Sequence, residues 1–373
     1  MNFRELGISE DILKVLKLSN IVEPTPIQAE SIKHIKDGKD VIAEAQTGTG
    51  KTLAFLLPIF ENISPSIDAV QALIITPTRE LAIQITEEAQ KLKAAKDLNI
   101  LAAYGGKDIG SQLKKLNKSI HLIIATPGRL LDHIERKTID LSKLKTLVLD
   151  EADQMLLMGF KNEVESIIKV TSKKHQTLCF SATLNSDVKR MAYRYMNDPL
   201  TVSIKKEEVT LENIKQFVVE TTDRRKQDAL CTVLSEDNPY MAIIFCRTKR
   251  RADELEVGLY KRGFDCQKLH SDVAQAKRER IMKSFRNGDF PYLIATDVAA
   301  RGLDINGVSH IYNYDIPETV ESYIHRIGRT GRAGEEGYTC LFIDPKNNAA
   351  LELIEKRINL KIPRRELNGE DNG

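Results

Sequence analysis

Short apolar runs alternate along the chain with stretches in which apolar positions return every three or four residues. In the first half the runs predict strands over Asp40 to Ala43, Ala72 to Thr76, Leu122 to Ala125, Thr146 to Leu149 and Thr177 to Phe180. In the second half they predict strands over Ala242 to Phe245, Tyr292 to Ala295, His310 to Asn313 and Thr339 to Ile343. Strands that alternate with helical patterns favour parallel sheets joined by crossover helices, so the expected fold class is α/β. Nearly every polar motif along the chain begins at the carboxyl end of one of these strands, the edge where open α/β sheets bind ligands.

At 373 residues the chain exceeds what one core favours, and two domains are expected. The charged stretch 205–212, Lys-Lys-Glu-Glu-Val-Thr-Leu-Glu, has no apolar periodicity and reads as a linker between domains at 1–204 and 213–363. Residues 364–373 are polar and are expected to form a short frayed tail.

Composition narrows the partners. A net charge of +2 excludes a polybasic coat protein, so any nucleic-acid surface must be local and balanced by acid elsewhere. The start of the chain lacks a cationic leader with an apolar run, and no stretch is apolar enough to span a bilayer, which predicts a cytoplasmic location. Five scattered cysteines (Cys179, Cys231, Cys246, Cys266, Cys340) show no metal-ligand spacing and are expected to be reduced packing residues.

The chemistry is concentrated in two places. After the first strand comes Ala45-Gln46-Thr47-Gly48-Thr49-Gly50-Lys51-Thr52, in which backbone N–H groups and a helix start can cradle phosphates. Lys51 would reach the β- and γ-phosphates of ATP and Thr52 would ligate Mg²⁺; a plain glycine-rich turn is the alternative. Ala45 stands where the commoner loop has its first glycine. Leu147-Val148-Leu149 then ends in Asp150-Glu151-Ala152-Asp153. Asp150 suits the metal and Glu151 the attacking water, although an acidic helix cap would use the same residues. Far along the chain lies His325-Arg326-Ile327-Gly328-Arg329-Thr330-Gly331-Arg332, suited to neutralising a γ-phosphate during transfer.

These motifs, with Pro24-Thr25-Pro26-Ile27-Gln28, Pro77-Thr78-Arg79-Glu80-Leu81-Ala82, Thr126-Pro127-Gly128-Arg129, Ser181-Ala182-Thr183 and Ala295-Thr296-Asp297 through Asp304, stand in the order of DEAD-box RNA helicases. The chain resembles that family from Phe3 to about Gly334. The resemblance implies two RecA-like domains, an ATP-dependent RNA helicase, and ATP with Mg²⁺ as cofactors. It implies that Gln28 reads adenine, that Phe3 stacks on the base, an ordinary core aromatic being the alternative, and that Asp304 contacts the ribose. Arg329 and Arg332 look like fingers for the γ-phosphate, while His325, Asp153, Ser181 and Thr183 look like couplers of hydrolysis to closure. Ser181 and Thr183 could equally cap backbone groups.

By the same resemblance Arg79, Gly106, Thr126 and Gly128, with Arg278 and Thr296, would track one RNA strand through sugar and phosphate. Turn formation would explain Gly106 and Gly128 about as well. The chain departs from the family pattern at Asn20 and Ile21, where glycine and an aromatic are usual, at Leu157, often acidic, and at Ser271, usually glycine. Two rival readings share the residues: an ATP-gated RNA clamp in which turnover serves only release, and a DNA translocase. The physiological RNA, pathway and protein partners are not encoded in any motif.

Overall fold

The computed structural model describes residues 2–45, 48–106, 119–172, 174–204, 213–300, 307–331 and 336–367. Two compact units result, Met1–Lys206 and Glu207–Gly373. The stretch expected as a linker, 205–212, lies outside the described residues.

The first unit holds β1 (Val41–Glu44), β2 (Ala72–Ile75), β3 (Ile100–Ala103), β4 (Leu122–Ala125), β5 (Thr146–Leu149), β6 (Gln176–Ser181) and β7 (Leu200–Ser203). They form one sheet in the order β3-β4-β2-β5-β6-β1-β7, parallel at every pairing. Alternate residues of one strand feed opposite cores: Val41 and Ala43 pack on one face and Ile42 on the other. Burial on both faces is why these strands read as unbroken apolar runs rather than as alternation.

The second unit holds β8 (Ile214–Glu220), β9 (Ala242–Cys246), β10 (Cys266–Leu269), β11 (Tyr292–Thr296), β12 (His310–Asn313) and β13 (Gly337–Ile343). Its sheet runs β10-β11-β9-β12-β13-β8, again parallel throughout.

One expectation needs correction, and one open alternative gains support: Phe3 is 2% exposed and lies in the core cluster with Leu6, Ile8 and Ile27, as an ordinary core aromatic would. Arg364 and Arg365 do not fray. Their segment lies along β8, with Val218 N–H donating to the Pro363 carbonyl at 2.9 Å and Arg365 N–H to the Val218 carbonyl at 2.8 Å. Ion pairs of Arg364 with Glu355 and Glu220, and of Arg365 with Asp237 and Glu236, hold it there. A bare sheet edge offers backbone donors and acceptors, and this segment satisfies part of one.

The departures at 20 and 21 are readily explained. Asn20 closes the helix Glu10–Leu18 with φ of 58°, a left-handed conformation that asparagine tolerates almost as glycine does. Ile21 packs against the core. All five cysteines are free; burial pushes the Cys179 and Cys266 thiols up to about 12, as suits packing residues.

Candidate nucleotide site

β1 delivers the chain to Gly48 and Gly50, both with positive φ, and thence to the helix Lys51–Asn62. Gly50 has φ of 89°, and a Cβ there would lie 2.5 Å from Gln28 Nε2 and 2.9 Å from Thr25 Oγ1. Only glycine fits that approach. Gln28 uses both ends of its amide: Oε1 accepts from Thr25 N–H at 3.0 Å and Nε2 donates to the Gly50 carbonyl at 2.9 Å. The residue expected to read adenine is thereby fastened to the phosphate loop itself.

Lys51 opens the helix, 6% exposed, and its Nζ meets no hydrogen-bond partner among the described residues. Thr52 beside it is half-buried. A buried ammonium without a hydrogen-bond partner costs several kcal/mol unless something supplies one. The first turn of that helix has no side-chain cap among the described residues, which leaves its N–H groups open to an anion.

β5 ends at Asp150, which is buried, bonded through its own N–H to the Ile75 carbonyl at 2.9 Å and accepting Glu151 N–H at 3.0 Å. Burial raises the Asp150 pKa, with Lys51 pulling it the other way. Glu151 sits at φ 52°, ψ 50°, and its side chain makes no cap bond to the helix Ala152–Leu157. Helix capping therefore does not explain Glu151, and a non-glycine residue in this region costs about 1–3 kcal/mol that the surrounding structure must offset.

Asp153, Ser181 and Thr183 meet. Ser181 Oγ accepts Asp153 N–H at 3.3 Å and donates to the Thr183 carbonyl at 2.8 Å, while Thr183 Oγ1 donates to Asp153 Oδ2 at 3.3 Å. The hydroxyls thus satisfy backbone groups and join two motifs in one step. Ala45 N–H donates to the Ser181 carbonyl at 3.0 Å, tying the phosphate loop to the same point. The residues fit ATP·Mg²⁺: an unsatisfied buried cation, open helix donors and a buried carboxylate whose ionised form needs a positive neighbour.

Arg79, Gly106, Thr126 and Gly128 follow β2, β3 and β4, which are adjacent in the order β3-β4-β2, so one sheet edge carries all four. Arg79 lies over Gly105, where a Cβ would approach its Nη2 to 3.0 Å. Gly106 has φ of 86° and a turn accounts for it. Gly128 is different: it lies in the helix Pro127–Glu135, exposed, with nothing within 4 Å of a Cβ. Neither a turn nor crowding within the unit calls for glycine there.

In the second unit Thr296 ends β11 and is buried. Arg278, also buried, donates from Nη1 to the His270 carbonyl at 2.8 Å, a strand-end brace that its expected RNA role did not foresee. Next to it Ser271 Oγ donates to Asp272 at 3.3 Å. Leu157 of the first unit is exposed at its helix end.

The arginine array begins in the helix Val320–Ile327, whose cap Thr319 Oγ1 accepts Ser322 N–H at 3.1 Å. Arg326 is the residue the sequence reading passed over. It is 2% exposed and forks onto Asp297, Nε to Oδ1 at 2.6 Å and Nη2 to Oδ2 at 2.7 Å. Its Nη1 donates to Asn313 Oδ1 at 3.0 Å and to the Asp315 carbonyl at 2.7 Å, and its plane lies 4.9 Å from the Phe245 ring centre. The signal was a third arginine three residues before Arg329. Arg329 is buried and His325 half-buried, whereas Thr47, Asp304 and Arg332 lie outside the described residues.

Comparison with known proteins decides the family. The DEAD/DEAH box helicase model matches residues 25–191 and the helicase conserved C-terminal domain matches residues 225–334. The chain is 49% identical to the DEAD-box ATP-dependent RNA helicase CshA of Bacillus cereus, over 97% of this chain and 69% of that protein. This chain belongs to the DEAD-box ATP-dependent RNA helicases. The CshA of Bacillus subtilis is 48% identical over 98% of this helicase and 74% of its own length. Among solved structures, S. cerevisiae Dbp5 bound to RNA and ADP BeF3 superposes with a TM-score of 0.89 at 32% identity, covering 97% of this helicase and 95% of that chain. Mss116p bound to ssRNA and AMP-PNP gives 0.88 at 33% identity, over 98% and 79%. The two parallel-sheet units are the RecA-like domains expected of the family. No helix among the described residues of this helicase is long and apolar enough to cross a membrane.

Proposed function

We propose that this DEAD-box RNA helicase closes its two domains, 1–204 and 213–363, around ATP·Mg²⁺ and one strand of RNA. One observation carries the nucleotide part: Lys51 Nζ is buried without a hydrogen-bond partner beside a buried Asp150. Lys51, the loop N–H groups from Gly48 to Thr52 and Thr47 hold the phosphates. Gln28 holds the adenine edge while keeping Gly50 in place, so base and phosphate loop are sensed by one amide. Thr52 and Asp150 would hold Mg²⁺, which supplies charge neutralisation on the phosphate oxygens when bound. Glu151, pre-set in its left-handed conformation, orients the attacking water and takes its proton.

Arg329 and Arg332 meet charge developing on the transferred phosphoryl group, with His325, Asp153, Ser181 and Thr183 relaying its loss, and Asp304 holds the ribose. Arg79, Gly106, Thr126 and Gly128 grip the RNA backbone from the first domain, and Arg278 and Thr296 from the second. The exposed, uncrowded Gly128 supports a close approach by a strand. Contacts to sugar and phosphate bring little sequence selectivity and hold a bent strand that no longer pairs in a short duplex.

Unwinding of a short RNA duplex and ATP turnover, measured with matched RNA and DNA, test this reading. RNA is expected to accelerate turnover and DNA to leave it near the basal rate. Glu151→Gln is expected to bind ATP and RNA yet unwind no more than one duplex per enzyme. Equal stimulation by DNA, or turnover indifferent to RNA, would sink it.

A further inference from the structure

Arg326 owes its fixed position to a second layer of charge that the helicase motifs do not account for. Asp315, two residues past β12, presents both its main chain and its side chain to that layer. Its N–H donates to the Phe245 carbonyl at 3.1 Å and its carbonyl accepts Arg326 Nη1 at 2.7 Å. Its carboxylate Oδ2 accepts Arg247 N–H at 3.0 Å and lies 2.8 Å from Arg251 Nε, an ion pair off the hydrogen-bonding direction. Oδ1 is 3.7 Å from Nζ of Lys226, which is buried and pairs with Asp223 at 3.4 Å. Arg251 and Lys226 sit over the Tyr314 ring, 5.2 Å and 5.7 Å from its centre.

Arg326, Arg251, Lys226 and Lys346 are thus set against Asp297, Asp315, Asp223 and Asp344, four cations to four carboxylates. Balanced, such a knot holds one arrangement; with a partner of the buried Arg326, Lys226 or Asp315 gone, a buried charge is stranded and its neighbours shift. The path to the array is short. Arg329 N–H donates to the Arg326 carbonyl at 3.1 Å, and Thr330 Oγ1 donates to the Ser309 carbonyl at 2.8 Å. Arg329 therefore takes its place from locked residues on either side of it.

We propose that Asp315 is a positioning residue for the arginine array. Its carboxylate pins the starts of the helices Lys226–Asp237 and Lys249–Lys261 to the strand end whose carbonyl holds Arg326, and Arg326 in turn places Arg329. The inference rests on the proposed role of Arg329 and goes beyond it by naming what aims that side chain.

The test is a double-mutant cycle on RNA-stimulated turnover by the full chain, well below the melting temperature. Asp315→Ala is expected to lower kcat about tenfold with KM for ATP within about twofold, since ATP contacts on the first domain are untouched. Asp315→Asn, which keeps an acceptor for Arg247 N–H, is expected to lose about threefold and takes over the cycle if the alanine variant does not fold. In an Arg329→Ala background the Asp315 substitution is expected to cost nothing further, because residues that act through one another are not additive. The same fold loss in both backgrounds, or a lowered Tm with kcat unchanged, would overturn the assignment. If Arg329→Ala alone left turnover intact, the role of Arg329 would fail instead.

Discussion

The carboxyl edges of the two sheets treat charge in opposite ways. In the first unit Lys51 is buried with no hydrogen-bond partner, Asp150 has its pKa raised by burial, and Glu151 holds a left-handed backbone. In the second unit Arg326 has a carboxylate fork, an amide oxygen, a carbonyl and an aromatic face all to itself. On one edge Lys51 is kept short of a hydrogen-bond partner so that a ligand supplies one. The other is saturated so that its neighbours point in one direction. Stability and function should therefore separate differently in the two units.

The largest effect that would break this comparison concerns Lys51. Lys51→Met is expected to lower ATP turnover about a hundredfold or more while leaving Tm nearly unchanged, because it removes a buried charge that has no hydrogen-bond partner and is opposed only by the nearby Asp150. A clear loss of stability, measured by thermal unfolding without nucleotide, would show that Lys51 is already satisfied. Next comes Asp297→Asn, which strands the guanidinium of Arg326. Urea unfolding is expected to show the second unit losing about 3–5 kcal/mol, and a change below about 1 kcal/mol would mean that the fork is dispensable.

Gly128 sharpens the contrast on the RNA side. Gly128→Ala has helical geometry and open space in its favour, so it is expected to stabilise the first unit by up to about 1 kcal/mol while weakening RNA stimulation. Unchanged stimulation would return that glycine to chance. The smallest effect is a slope with pH. Burial holds the His310 imidazole below its ordinary 6.5, Asp237 opposes and Arg365 assists. His310 thus contributes stability above the unfolded value that is lost as pH falls below about 6.5 toward its lowered folded value. Urea midpoints at pH 7.5 and 5.5 should differ less in His310→Gln than in the parent, and equal differences would remove His310 from the cause.

How much of this was legible in the sequence depends on burial. The strands read from apolar runs are the interior ones of each sheet, within a residue or two at their ends. The strands that went unread, β3, β7, β8 and β10, are the four sheet edges. There one face meets solvent, so Leu200-Thr201-Val202-Ser203 and Cys266-Gln267-Lys268-Leu269 break the run with polar residues. Contiguous motifs carried the phosphate loop and Asp150 with Glu151. The Arg326 knot escaped because Asp297 is 29 residues away and Asp315 is 11, a proximity that only the parallel order β11-β9-β12 creates. Phe3 stayed open between base and core for the converse reason: an aromatic near the start of the chain is silent about which side of it is covered.

Single-turnover ATP hydrolysis by Arg329→Ala, with and without single-stranded RNA, tests the central claim most directly. The expected result is ATP binding close to that of the parent, because Gln28 and Lys51 are intact, with the RNA-induced acceleration lost. Acceleration by RNA equal to that of the parent would contradict the claim that the second unit completes the site built on the first.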